Sequence, residues 1–199
     1  MSVRLVSWCA MVVAAAILAA GGCDRGEDKK GSAAGQSEGG VAMSISITSS
    51  AFGSNQEIPR KYTGEGQDLS PPLAWSKLPA GTAELALICD DPDAPQAEPW
   101  VHWVIYKLPP TRSGLGEGVP RQMMLQSPAG AMQGTSSFGA IGYGGPMPPK
   151  GHGTHHYHFK LYALDAPLQV SCGLDKKALL AAMQGHILGQ GNLVGTYKR

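Results

Sequence analysis

No proline occurs in the first 58 residues of this 199-residue chain; all fifteen lie at or after Pro59. Charge is also sparse, with 16% charged residues and a formal net charge of +1. A nucleic-acid partner held through bulk charge needs a more basic chain, so that class is excluded. Disorder throughout is excluded as well, because 43% of the residues are apolar. There is no Gly-x-x-x-x-Gly-Lys-Ser/Thr loop for a nucleotide. There is no Gly-x-Ser-x-Gly elbow either, since the run from Gly134 to Gly139 has the wrong spacing. No internal repeat appears, and no cofactor is expected.

What is present divides into a head and a body. Leu5 to Ala20 is almost wholly apolar and follows Arg4. A basic start, an apolar core and small residues before a cleavage point describe an export signal. The run is shorter than the ~20 residues that cross a bilayer comfortably. Ala20-Gly21-Gly22-Cys23 resembles the lipobox of bacterial lipoproteins, although Ala20 stands where Leu is usual. That resemblance implies a signal peptide over 1–22, a lipid on Cys23 and an exported protein anchored to a bacterial cell membrane. Plain secretion and an uncleaved anchor stay open beside it. From Asp24 to Ala42 the chain is rich in Gly, Ser, Ala and charge and has no aromatic residue. Too little surface can be buried there for order, so 23–42 reads as a tether.

Residues 43–199 form the body, large enough for one sizeable core. Short apolar runs between Gly- and Pro-rich breaks predict strands joined by turns. Leu85 to Cys89, and Val101 to Tyr106 apart from His102, are continuously apolar and suit strands buried on both faces. Tyr157, Phe159, Leu161 and Ala163 alternate with His156, His158, Lys160 and Tyr162, as in a strand with one inward face. Asp175 is placed to cap a helix carrying Leu179, Leu180, Met183, Ile187 and Leu188, with Gly185 as its weak point. The expected fold is mainly β: a sandwich with a late helix. Cys89 and Cys172 lie in that body. A bridge between them would stabilise by roughly 4 kcal/mol through loop entropy in an oxidising compartment, and two free thiols are the alternative.

Two clusters could carry chemistry. One is Asp90-Asp91-Pro92-Asp93-Ala94-Pro95 with Trp100-Val101-His102-Trp103; the other is Gly151 to His158, which holds four of the six histidines. If Tyr157 faces inward then so does His155, while His156 and His158 face away. This argues against a metal held by all four, although His102, Asp91 and one inward His would suffice for three ligands. Anion binding fits better. The Gly- and Pro-rich run from Gly142 to Gly153 can bring backbone N–H groups to an anion, less its three prolines. His102, His155 and Tyr157 can donate to phosphate oxygens, and Asp91 can fix a histidine tautomer. Asp91-Pro92-Asp93 also reads as a turn closed by its own Asp side chains.

These same segments resemble a known family. Asp91-Pro92-Asp93-Ala94-Pro95 with Trp100-x-His102-Trp103 is similar to the first signature of the phosphatidylethanolamine-binding proteins. Gly145-Pro146-x-Pro148-Pro149-x-Gly151, followed by His155-His156-Tyr157-x-Phe159, is similar to the second. Ser70-Pro71-Pro72-Leu73-x-Trp75 and the ending Gly195-Thr196-Tyr197 resemble its bacterial, Raf kinase inhibitor-like branch. The resemblance implies a Greek-key antiparallel sandwich with a C-terminal helix. It also implies a small anion pocket lined by Asp91, His102, Pro149, Gly151, His155 and Tyr157. Two departures stand out: His156 replaces the family's Arg, and Gly64 stands where a Cys often follows Tyr-Thr. The function expected is non-catalytic binding of a phosphate-bearing or other small anion, for which a phospholipid headgroup is one source. A protein-interaction or inhibitor module is the alternative, with a protein partner at the pocket. A hydrolase using Asp91, His102 and His155 as acid and base is the third.

Overall fold

The computed structural model describes residues 43–199; the expected signal segment, Cys23 and the tether lie outside the described residues. Among the described residues the strands are β1 (Met43–Ser44), β2 (Ser46–Thr48), β3 (Gln56–Glu57), β4 (Leu73–Ser76) and β5 (Glu84–Asp91). They continue with β6 (Trp100–Leu108), β7 (Gly114–Leu115), β8 (Met132–Gln133), β9 (His155–Leu164) and β10 (Ile187–Tyr197). A large sheet has the order β1-β10-β9-β5-β6-β8, with β3 also paired to β10; a small sheet has the order β2-β4-β7. The long neighbours β10, β9, β5 and β6 are antiparallel.

The long apolar runs become the middle of the large sheet because only there are both strand faces covered. Every residue of β5 is buried. On one face Leu85, Leu87, Cys89, Trp103, Phe159 and Leu161 pack against Ile47, Leu73 and Trp75 of the small sheet. On the other, Ala86, Ile88, Val104, Tyr106 and Tyr162 pack against Leu179 and Met183 of α1 (Lys176–Met183). Each of those two helix side chains is fully buried and contributes roughly 1.5–3 kcal/mol. The sandwich and the late helix are therefore both present.

Two readings of the sequence need correction. Asp175 does cap α1, accepting from the Ala178 N–H at 2.8 Å, but the helix ends at Met183. Gly185 takes φ +83°, which ends helical winding, and Ile187 and Leu188 enter β10 instead. The Cys89–Cys172 bridge is not formed. Cys89 faces the core between the sheets, whereas Cys172 is exposed on the loop leading to α1, its Sγ 4.0 Å from Met123 Sδ.

A buried ion cluster joins sheet to helix. The Asp90 carboxylate is wholly buried and accepts from Lys160 Nζ at 2.8 and 3.0 Å and from Lys176 Nζ at 2.6 Å. Among the described residues no helix is long and apolar enough to cross a membrane.

Candidate functional site

β5 ends at Asp91, opposite Trp100 at the start of β6, and β9 starts at His155 on the same border. Antiparallel pairing thus brings the two clusters together although 47 residues separate them in the chain. His155 and Tyr157 are buried while His156 and His158 lie on the outer face, as strand alternation requires.

His102 obeys a different rule. Cys89 pairs with Trp103 and Asp90 with Val101, so β6 carries one surplus residue against β5. Val101 packs on the helix side and Trp103 on the opposite side. Regular alternation would send His102 toward α1. The bulge instead sets it beside Tyr157, ring edge to ring face, with centroids 5.0 Å apart.

Loops complete the pocket. Asp91 Oδ1 accepts from the Asp93 N–H at 2.9 Å, closing the turn. Asp93 Oδ2 accepts from the His156 N–H at 2.8 Å and meets its Nδ1 at 2.7 Å, tying that turn to β9. On the other side Gly144 clamps His102 twice: its N–H donates to the His102 carbonyl at 2.9 Å, and its carbonyl accepts from Nδ1 at 2.6 Å. The next residue must be small, because a Cβ on Gly145 would lie 2.5 Å from the Tyr62 carbonyl.

The resulting cavity holds about 200 Å³. Asp91, His102, Pro148, His155 and Tyr157 are its buried lining; Trp100 and Ala94 are half-buried; Phe138, Met147, Gln96, Pro95 and Pro149 stand at the exposed mouth. Burial depresses the His102 pKa, so the ring is held neutral against the opposing pull of the Gly144 carbonyl and Asp91. Burial, aided by Asp91, holds the Tyr157 phenol well above its usual value, and it remains a donor. Its hydroxyl has no hydrogen-bond partner although it is buried. His155 Nδ1 lies 2.7 Å from Asp91 Oδ2, and its Nε2 lies 2.8 Å from His152 Nδ1. Asp91, His155 and His152 thus form a chain from the cavity floor to the surface.

Of the six residues expected to line the pocket, Asp91, His102, Pro149, His155 and Tyr157 do so. Gly151 does not. It turns at φ +74° and donates its N–H to the Arg199 carbonyl at 3.2 Å, shaping the loop rather than the wall. Asp91 is both turn-former and pocket residue, so its two readings were not rivals. Among the described residues no group of three or more His, Cys, Asp or Glu is arranged to hold a metal ion. Phe138 and Met147 were missed. Phe138 packs edge-on against His102 and Trp100, with centroids 5.4 and 5.3 Å away, from a loop whose sequence carries no signal for that placement.

A family model described as phosphatidylethanolamine-binding protein matches residues 48–198. The chain belongs to the phosphatidylethanolamine-binding protein family. Within that family it is 42% identical over 189 residues to a UPF0098 protein of Pyrococcus horikoshii, covering 95% of this chain and 88% of the relative. It is 39% identical over 158 residues to a Mycobacterium tuberculosis protein named as a candidate lipoprotein, covering 79% of this chain and 74% of that one. Its fold is similar to that of Escherichia coli YbcL, described as a new member of the mammalian PEBP family. The TM-score is 0.73, with 30% identity over 79% of this chain and 99% of the other. The match to the phosphatidylethanolamine-binding proteins spans both clusters that build the pocket.

Proposed function

We propose that this member of the phosphatidylethanolamine-binding protein family is a non-catalytic receptor for a small phosphate-bearing anion, held between His102 and Tyr157 beside the His155–Asp91 pair. The observation that carries this reading is the Tyr157 hydroxyl. It is a buried donor with no partner, and Tyr157 lines a cavity of about 200 Å³. An unpaired buried hydroxyl costs stability that a ligand oxygen would recover. The volume takes a phosphate and a few further atoms, so of a phospholipid only the headgroup would enter. Asp91 disfavours a bare dianion, which favours a group of lower charge. The buried Cys89 thiol is no nucleophile for this pocket, because burial pushes its pKa well up and it faces the core.

The receptor would work outside the cytoplasm, tethered through a lipid on Cys23. The lipobox-like Ala20-Gly21-Gly22-Cys23 supports this, as does the name of the mycobacterial relative. Titration of the full chain with inorganic phosphate and phosphoethanolamine, read by imidazole proton NMR, tests the pocket. Shifts of the His102 and His155 signals are expected, and their absence at millimolar concentration overturns the reading. Mass spectrometry of the mature N-terminus tests the anchor, and an unmodified Cys23 removes it.

A further inference from the structure

The donors and acceptors of the pocket do not match an arbitrary phosphate. His102 gives its Nδ1 proton to the Gly144 carbonyl, because a carbonyl can only accept. His155 gives its Nδ1 proton to the Asp91 carboxylate for the same reason. The nitrogen left over on a neutral ring of this kind is a lone pair, not a donor. For His102 that nitrogen is Nε2. For His155 it is the Nε2 that meets His152 Nδ1, and whichever ring holds the proton between them gives it to the other. Neither buried imidazole therefore offers a free N–H to a ligand. Pro95, Pro148 and Pro149, three further lining residues, have no N–H at all. Tyr157 is the one buried lining group with an uncommitted proton.

Resting on the proposed phosphate-binding reading, we infer that the pocket selects a phosphate that still carries a proton. A monoester or hydrogen phosphate would be held by donating its P–OH to the His102 Nε2 lone pair while accepting from the Tyr157 O–H. A diester has no such proton and sets a bare oxygen against a lone pair. Trp100 and Gln96 at the mouth can add N–H donors, but those serve any phosphate oxygen and do not discriminate. Protonating His102 instead is opposed by burial. The carboxylates whose charge acts on that ring are Asp91 and Asp90 from β5 and Asp68 from the loop that holds Gly145, and Tyr157 from β9 packs against it. Asp91 is already engaged by His155 and Asp90 by two lysines, so neither is free to take the ring's second proton as a direct partner.

Binding is then linked to protons. A monoester loses its second proton near a pH of about 6. Below that pH the ligand brings its proton with it. Above it, one proton must be taken up, so apparent affinity falls about tenfold per pH unit. Calorimetry on the full chain in detergent, with methyl phosphate and dimethyl phosphate as probes, tests this. Methyl phosphate is expected to bind about 50-fold more weakly near pH 8 than near pH 6. Buffers of different ionisation enthalpy should show about one proton taken up at the higher pH. Dimethyl phosphate is expected to bind at least about tenfold more weakly than methyl phosphate near pH 6. Equal binding of the two esters, or monoester affinity independent of pH, overturns the selectivity and leaves phosphate binding standing. No binding of either ester or of inorganic phosphate overturns the receptor reading itself.

Discussion

Replacing Tyr157 by Phe removes a single oxygen, and the structure assigns that oxygen opposite effects in the empty and the filled pocket. In the empty pocket it is buried without a partner. An unsatisfied buried hydroxyl costs about 1–3 kcal/mol, and at a cavity wall the lower end applies. Tyr157→Phe should therefore stabilise the unliganded protein by about 1 kcal/mol, raising Tm by about 2–4 °C for a body of this size. In the filled pocket the same oxygen donates to a charged phosphate. Bonds of that kind contribute about 1.5–3 kcal/mol, so the variant should bind roughly 10- to 150-fold more weakly. Thermal melts with and without methyl phosphate read both effects together. The variant should melt above the wild type without ligand and gain less from its addition. A variant that melts lower without ligand, while retaining wild-type affinity, would refute the reasoning, because the hydroxyl would then be paired within the protein.

Three further outcomes follow from groups already described. Asp90→Asn leaves two lysines facing a neutral amide; because their side chains are 34% and 22% exposed, the loss should be about 2–3 kcal/mol in urea denaturation, below the full cost of breaking a buried pair. The depressed His102 pKa means that the unfolded chain binds a proton that the folded one refuses as pH falls below about 6.5, so stability should decline from there toward the folded-state pKa. His102→Gln should flatten that decline without abolishing it, since burial also depresses His158; an unchanged slope would count against a neutral His102. Alkylation followed by peptide mapping should label Cys172 in the native protein and Cys89 only after denaturation, and a labelled native Cys89 would contradict its place in the core.

Much of the fold was legible because its signals are local. The apolar runs of β5 and β6 suited strands buried on both faces, and the alternation of β9 placed His155 and Tyr157 inside and His156 outside. The helix was overextended because Leu179, Met183 and Ile187 keep helical spacing across Gly185, and only the positive φ at that glycine ends it. His102 was assigned to the pocket from its place in the polar cluster beside an apolar strand, and the motif resemblance agreed. The bulge that turns it depends on pairing with β5, which no spacing within β6 reveals. Phe138 and Met147 reach the site from loops whose paths are set by tertiary contacts, such as the seat of Phe138 against Gly144. The sequence shows that imidazoles are available. It does not show that both have already given their Nδ1 protons to Gly144 and Asp91, and that reverses what they can offer a ligand.

Because one surplus residue in β6 brings His102 to Tyr157, the pocket is encoded by strand length as well as by side-chain identity. Deleting Val101 would let the ladder with β5 run evenly and turn the imidazole toward α1. No substitution imitates that loss. A relative could keep every pocket residue by name and still have no pocket, so the count of residues from Trp100 to Trp103 belongs to the motif as much as the histidine does.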